Sequence, residues 1–163
     1  MNVLFIYSLQ KSITPDKPLV GQEGMQFGIS YISSVLKQNG HITDLIVIDR
    51  KYKRGNIKVL SKIINSFNPG LICFTSVHSE FDFISDIANQ VKQLFPHIPL
   101  ILGGVHITLN PSEKLLEIFD CICIGEGEYP VLEYVNCLEN KESASGVYNL
   151  WLKEGGKVVK NPV

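Results

Sequence analysis

Five short apolar runs, none of them alternating with polar residues, constrain this chain more than any other feature. They are Val3 to Tyr7, Leu45 to Ile48, Leu71 to Thr75, Leu100 to Leu102 and Cys121 to Ile124. A strand with one wet face alternates, whereas a continuous apolar strand is buried on both faces, as in a parallel sheet covered by helices. The segments between the runs carry helical spacing. Phe27, Tyr31 and Val35, with Gly28 and Ile32, form one predicted helix face that stops at Gly40. Ile57, Leu60, Ile64 and Phe67 form a second, ending before Asn68-Pro69-Gly70, and Ile84, Ile87, Ala88, Val91 and Leu94 a third, closed by Pro96. Asn110-Pro111, with Glu113 placed for a capping box, predicts the start of a fourth helix. Tyr129 and Pro130 open a fifth, whose face is Val131, Val135 and Leu138.

Five β–α units in succession, joined by right-handed crossovers, predict an α/β fold. The simplest form is a flavodoxin-like or Rossmann-like doubly wound five-stranded parallel sheet in the order 2-1-3-4-5. The tail departs from this pattern. Val147 to Leu152 and Lys157 to Val159 flank Glu154-Gly155-Gly156, which predicts a C-terminal β-hairpin. The expected division is an α/β domain over residues 1–140 and a linker or β-hairpin over residues 141–163.

Composition narrows the class further. A chain of 163 residues fits one domain, and at that size folding buries roughly 68–70% of the unfolded surface without a disulfide or metal staple. A net charge of -1 lacks the basic footprint of a nucleic-acid binder. No apolar run is long enough for a signal peptide or a membrane span, so the expected setting is cytoplasmic, with no membrane partner. Cys73, Cys121, Cys123 and Cys137 lie mostly in apolar stretches without Cys-x-x-Cys pairing, and read as small core residues of a reduced protein.

Ligands of an open α/β sheet bind beyond the carboxyl ends of its strands. The first such loop, Ser8 to Gly24, is long and carries Pro15, Pro18, Gly21 and Gly24; it reads as a ligand wall or as plain surface loop. It has neither a Gly-x-Gly-x-x-Gly fingerprint nor a Walker A pattern. After the third strand, Thr75-Ser76-Val77-His78-Ser79-Glu80 offers three hydroxyls to a polar ligand, with helix capping by Ser79 as the structural alternative. After the fourth, Gly103-Gly104-Val105-His106-Ile107-Thr108 combines two glycines that allow a sharp turn and the close approach of a ligand. A turn alone also explains the pair, and His106 reads as a hydrogen-bonded loop residue more readily than as a base or metal ligand. After the fifth, Gly125-Glu126-Gly127-Glu128 places two carboxylates near a helix N-terminus, where the macrodipole favours them and where they would accept hydrogen bonds from a ligand. No partner constellation supports acid–base chemistry, so neither a catalytic residue nor a metal ligand is assigned.

With these loops in view, the chain resembles the N-terminal cobalamin (vitamin B12)-binding domain of cobalamin-dependent radical S-adenosylmethionine enzymes. The resemblance is carried by Gly103-Gly104-Val105-His106-Ile107-Thr108-Leu109-Asn110-Pro111 and by Gly125-Glu126-Gly127-Glu128. Met25 to Ile32, leading to Leu36 and Asn39-Gly40-His41, is similar to that family's first helix, and the tail from Gly146 to Pro162 to the strand pair preceding its catalytic barrel. The resemblance implies cobalamin over the carboxyl edge with its nucleotide tail between strands and helices. Gly103 and Gly104 match the glycines that make room for the tail; on that basis Gly104→Val should fill the channel and spare the fold. Thr75, Ser76 and Val77 match the loop touching tail or corrin, Gly125 to Glu128 the opposite wall, and Val105 and His106 continue the glycine motif.

Two departures qualify what is implied. The cobalamin mutases carry a cobalt-ligating histidine after the first strand, and here the loop starting Ser8-Leu9-Gln10-Lys11-Ser12 contains none. The three-cysteine iron–sulfur motif is also absent, so the cluster and S-adenosylmethionine belong to a downstream radical domain not in this chain. The implied parent is a methyltransferase or oxidative-cyclase-like enzyme. One competing reading is a small nucleotide-dependent enzyme or a regulatory α/β binding domain, with Asp49 at the second strand's end as the ribose-binding acid. A phosphoacceptor receiver is disfavoured, because Tyr7-Ser8, Thr75-Ser76 and Gly125-Glu126 replace the residues that it needs.

Overall fold

The computed structural model describes residues 1–9 and 26–163, with the backbone alone at positions 53 and 54. Most of the loop from Ser8 to Gly24, and Met25, lie outside the described residues. The strands β1 (Asn2–Ser8), β2 (Ile42–Ile48), β3 (Leu71–Thr75), β4 (Leu100–Gly103) and β5 (Cys121–Cys123) pair in parallel. Two further strands, β6 (Leu150–Glu154) and β7 (Lys157–Lys160), complete a seven-stranded sheet in the order β2-β1-β3-β4-β5-β6-β7. The parallel part has the order expected from the apolar runs.

The hairpin is part of this sheet. β6 runs antiparallel to β5, with Cys121 opposite Leu152 and Cys123 opposite Leu150. Its turn uses Gly155 and Gly156 at φ 57° and 78°, left-handed positions of the kind that match the twist of a two-residue hairpin. Leu150 and Leu152 are buried, so the hairpin covers an edge that β5 would otherwise leave open.

Helices lie on both faces. The helices α2 (Lys53–Phe67) and α3 (Phe81–Leu94) turn Leu60, Ile64, Ile84, Ile87 and Val91 onto Leu4, Ile6, Ile72, Phe74 and Leu102. The helix α1 (Phe27–Gln38) and the helix α5 (Glu128–Asn140) cover the other face, where Val3, Phe5, Cys73, Ile101 and Cys121 meet Ile29, Leu36, Val131 and Val135. Fully burying one such side chain contributes about 1.5–3 kcal/mol, which makes these two layers the main source of stability.

Four local expectations are corrected. The face of α1 is rotated: Ile29 and Leu36 are buried, whereas Phe27 and Tyr31 are 55% and 61% exposed. Counting aromatics as core misplaced the stripe, because Ile29, Ile32 and Leu36 follow the same period. β2 is an edge strand covered on one face, so Ile46 and Ile48 are buried while Leu45 and Val47 stay exposed. Asn110-Pro111 starts no helix. The chain turns directly after β4 into the short helix α4 (Val105–Leu109), with Asn110 at its end, and then forms a 3-10 turn at Glu113–Glu117 capped by Ser112. Leu116 and Phe119 anchor this crossover in the core, where Phe119 meets Phe74 edge to face at 5.8 Å between ring centres. Finally, Ser79 caps nothing: it lies inside the 3-10 turn His78–Glu80, and its carbonyl accepts from the Arg50 guanidinium at 2.6 Å.

Candidate functional site

A cavity of about 340 Å³ opens at the carboxyl end of the sheet, between β1, β3, β4 and β5 on one side and α1 and α5 on the other. Phe5, Cys73, Ile101 and Cys123 form its floor. Alternation along β4 sends Ile101 and Gly103 to the same face, so Gly103 continues this floor without a side chain. Gly28, Ile29 and Ile32 of α1 and Val131 of α5 face it. An apolar slot whose polar groups are confined to its mouth suits the flat body of a cofactor.

The two glycines after β4 have different jobs. A Cβ on Gly103 would meet nothing closer than Cys123 Cβ at 3.8 Å, ordinary contact with cavity space beside it. A Cβ on Gly104 would lie 2.6 Å from Thr75 Oγ1, 2.7 Å from the Ser76 carbonyl and 2.9 Å from its nitrogen. Gly104 also stands at φ 100° and ψ 172°, a region essentially reserved for glycine. Gly103 therefore leaves room for a ligand, and Gly104 lets the loops after β3 and β4 touch. The expectation that Gly104→Val would spare the fold is accordingly corrected.

A hydrogen-bond chain ties the loops together. The Ser76 N–H donates to the Gly103 carbonyl at 3.1 Å, and the His106 N–H donates to the Ser76 carbonyl at 3.3 Å. The Gly104 carbonyl accepts from the Thr108 N–H at 3.1 Å, and Thr108 Oγ1 accepts from the Gly125 N–H at 3.0 Å. The Glu126 carbonyl accepts from the Asn149 amide at 3.2 Å, which joins the segment before β6 to the site. Gly127 has its own steric reason: a Cβ there would sit 2.9 Å from Ile32 Cδ1, where α5 meets α1.

Of the residues singled out in the sequence, Thr75, Gly103, Gly104, Val105 and Gly125 to Glu128 line the cavity. Ser76 is buried and Val77 borders a niche of about 20 Å³ beside Tyr7, Ser8 and Glu80. His106 points elsewhere: its ring packs on Phe81 at 4.5 Å and beside His78 at 5.2 Å between centres. Burial, and then the neighbouring His78, hold its imidazole below the usual histidine range, so it is neutral at pH 7. His106→Ala is expected to lower stability by about 1 kcal/mol through lost packing and to leave binding in the cavity nearly unchanged. Melting and ligand titration check this, and loss of binding at unchanged stability would place His106 in the site.

The floor was missed by sequence reasoning, because Phe5, Cys73, Ile101 and Cys123 look like core. Burial pushes the Cys73 thiol well up, and pushes Cys123 up to about 12, with Glu128 and Glu126 adding to it. Both are thiols at neutral pH, weak nucleophiles and poor metal ligands. Native protein at pH 7.5 is expected to consume at most about one equivalent of an aromatic disulfide reagent, at the partly exposed Cys137. Fast reaction of a second thiol would contradict this placement. Among the described residues no group of three or more His, Cys, Asp or Glu is arranged to hold a metal, and no helix is long and apolar enough to cross a membrane.

Asp49 has a local task. Its Oδ1 accepts from the Lys51 N–H at 2.9 Å, and its carbonyl accepts from the Asn56 amide at 2.7 Å, organising the turn into α2. No lysine, arginine or histidine lines the cavity among the described residues. A nucleotide with two or three phosphates would find no counter-charge from them.

Comparison with known proteins agrees with this architecture. The chain is 28% identical over 148 residues to an uncharacterised methyltransferase of Pyrococcus horikoshii, covering 90% of this chain and 32% of that protein. It is 25% identical over 142 residues to the anaerobic magnesium-protoporphyrin IX monomethyl ester cyclase of Rubrivivax gelatinosus, covering 82% of this chain and 25% of the relative. The chain thus spans a third or less of these curated relatives. Among solved structures, it superimposes on the radical S-adenosylmethionine methyltransferase TsrM of Kitasatospora setae with a TM-score of 0.76 at 16% identity, covering 98% of this chain and 30% of that one. The cobalamin-dependent radical enzyme OxsB gives 0.71 at 17% identity, covering 98% and 22%. These likenesses establish the shared fold. The family model described as the B12 binding domain matches residues 19–135, and the chain belongs to that family.

Proposed function

We infer that this chain is the cobalamin-binding module of a larger radical S-adenosylmethionine enzyme, of methyltransferase or oxidative-cyclase-like type. The observation that carries the reading is the apolar slot beneath the carboxyl edge, floored by Phe5, Cys73, Ile101 and Cys123 and opened by Gly103. The residues fit the group: a planar base needs apolar walls, and the missing Cβ of Gly103 leaves space on the floor. Thr75, Gly103, Gly104 and Val105 would hold the tail from one side, and Gly125 to Glu128 would form the opposite wall, with the Glu126 and Glu128 carboxylates at the mouth rather than against the tail. Ser76, Val77 and His106 support the loops from behind.

When bound, cobalamin supplies methyl relay or assistance to radical chemistry. This chain's own residues position it and keep water from the planar base of its tail. No histidine from the first loop ligates cobalt in this reading, since that loop contains none. Residues 141–163 lead towards the downstream radical domain, which would supply the iron–sulfur cluster and S-adenosylmethionine within a cytoplasmic polypeptide. The nucleotide-enzyme reading is weaker, because Asp49 organises a turn and the cavity offers no cation among the described residues.

The test is retention of hydroxocobalamin. The protein is mixed with it and desalted, and its visible spectrum is recorded. Stoichiometric corrinoid absorbance is expected, whereas a colourless protein would overturn the reading.

A further inference from the structure

The mouth of the cavity is acidic, and nothing in the cobalamin reading by itself requires that. Glu126 and Glu128 line both the main cavity and an adjoining cleft of about 250 Å³, to which Glu133 adds a third carboxylate. Among the described residues no lysine, arginine or histidine forms an ion pair with any of the three. The supporting loop is fixed: the Gly125 N–H donates to Thr108 Oγ1 and the Glu126 carbonyl accepts from Asn149. The carboxylates are thus rooted on a loop held from two directions, and ordering it for a ligand carries little further entropy cost.

An ionised carboxylate only accepts hydrogen bonds. A ligand group facing this rim therefore has to donate, and a second carboxylate there is repelled. The corrin ring carries primary amides at its periphery. Each is a double donor, and hydrolysis of one amide turns that donor into an anion. We propose that Glu126 and Glu128 select the fully amidated corrinoid and reject its carboxylate forms. This proposal rests on the cobalamin reading and deepens it by naming the ligand chemistry that the rim accepts.

The experiment compares equilibrium binding of hydroxocobalamin with that of its separated monocarboxylates, made by mild acid hydrolysis, at ionic strengths of about 0.01 M and about 1 M. At least one monocarboxylate is expected to bind about tenfold more weakly at low salt, a difference of about 1.4 kcal/mol. The gap narrows at high salt because the repulsion is screened. It also narrows in Glu126→Gln and in the Glu126→Gln, Glu128→Gln pair. Glu126→Gln protects the test against misfolding, since among the described residues that side chain has no hydrogen-bond or ion-pair partner to lose. Equal binding of every isomer and of hydroxocobalamin at low salt overturns this proposal alone. A gap that neither salt nor either variant changes also overturns it. Failure to bind hydroxocobalamin at all overturns the functional reading, and this proposal with it.

Discussion

Gly103→Leu is expected to abolish cobalamin retention while the protein stays folded. Gly103 pairs with Thr75 at the end of β4 and is absent from the positive-φ glycines, so its backbone accepts a side chain without strain. The nearest atoms to a new Cβ are Cys123 Cβ at 3.8 Å and the Cys123 carbonyl oxygen at 3.9 Å. A leucine there would fill part of the roughly 340 Å³ slot from its floor. Filling an open slot strands no buried donor and breaks no hydrogen bond among the described residues, so stability should change by less than about 1 kcal/mol. Gly103→Ala, which adds one methyl group at ordinary contact distance, should keep most of the binding. The measurement is corrinoid absorbance after desalting, paired with a thermal melt. A Gly103→Leu protein that retains hydroxocobalamin like the parent would mean that the slot is not where the tail lies.

The sheet was legible in the sequence because its signal is one-dimensional. A continuous apolar run such as Val3 to Tyr7 is buried on both faces whatever helix covers it, and the order β2-β1-β3-β4-β5 then follows from crossover handedness. The fourth crossover was not legible. Asn110-Pro111-Ser112-Glu113 carries capping chemistry, but the left-hand turn at Gly104 has already started a helix five residues earlier, and Asn110 ends it. The loops of the site were visible through their glycines and carboxylates. Its floor was not, because a cavity is a gap between two apolar layers and a periodic pattern cannot tell a filled layer from an open one. Gly28 was the available signal: a small residue on a helix surface facing a sheet, where a large side chain would otherwise close the layer.

Gly104→Val should have the opposite character, a loss of fold rather than of space. The backbone there, at φ 100° and ψ 172°, costs a residue with a side chain about 1–3 kcal/mol in strain alone. The added Cβ also falls within 3.0 Å of Thr75 Oγ1 and of the Ser76 carbonyl and nitrogen. Two of those atoms are backbone, and both belong to Ser76, whose N–H and carbonyl bind Gly103 and His106. Relief therefore means separating the loops after β3 and β4 and breaking those hydrogen bonds. Together these terms make a destabilisation of about 4 kcal/mol or more, a large share of the roughly 5–15 kcal/mol that holds a domain of this kind. The melting temperature should fall by about 8–16 °C, and cobalamin retention should fall with it. Gly104→Ala separates this account from channel filling, because strain and clash both arise at the Cβ and a single methyl group would hardly obstruct a slot. The alanine variant should lose most of what the valine variant loses. If it melts like the parent while Gly104→Val still folds and only binding suffers, Gly104 belongs with Gly103 as a residue that makes room, and the close approach of the two loops is not what requires a glycine there.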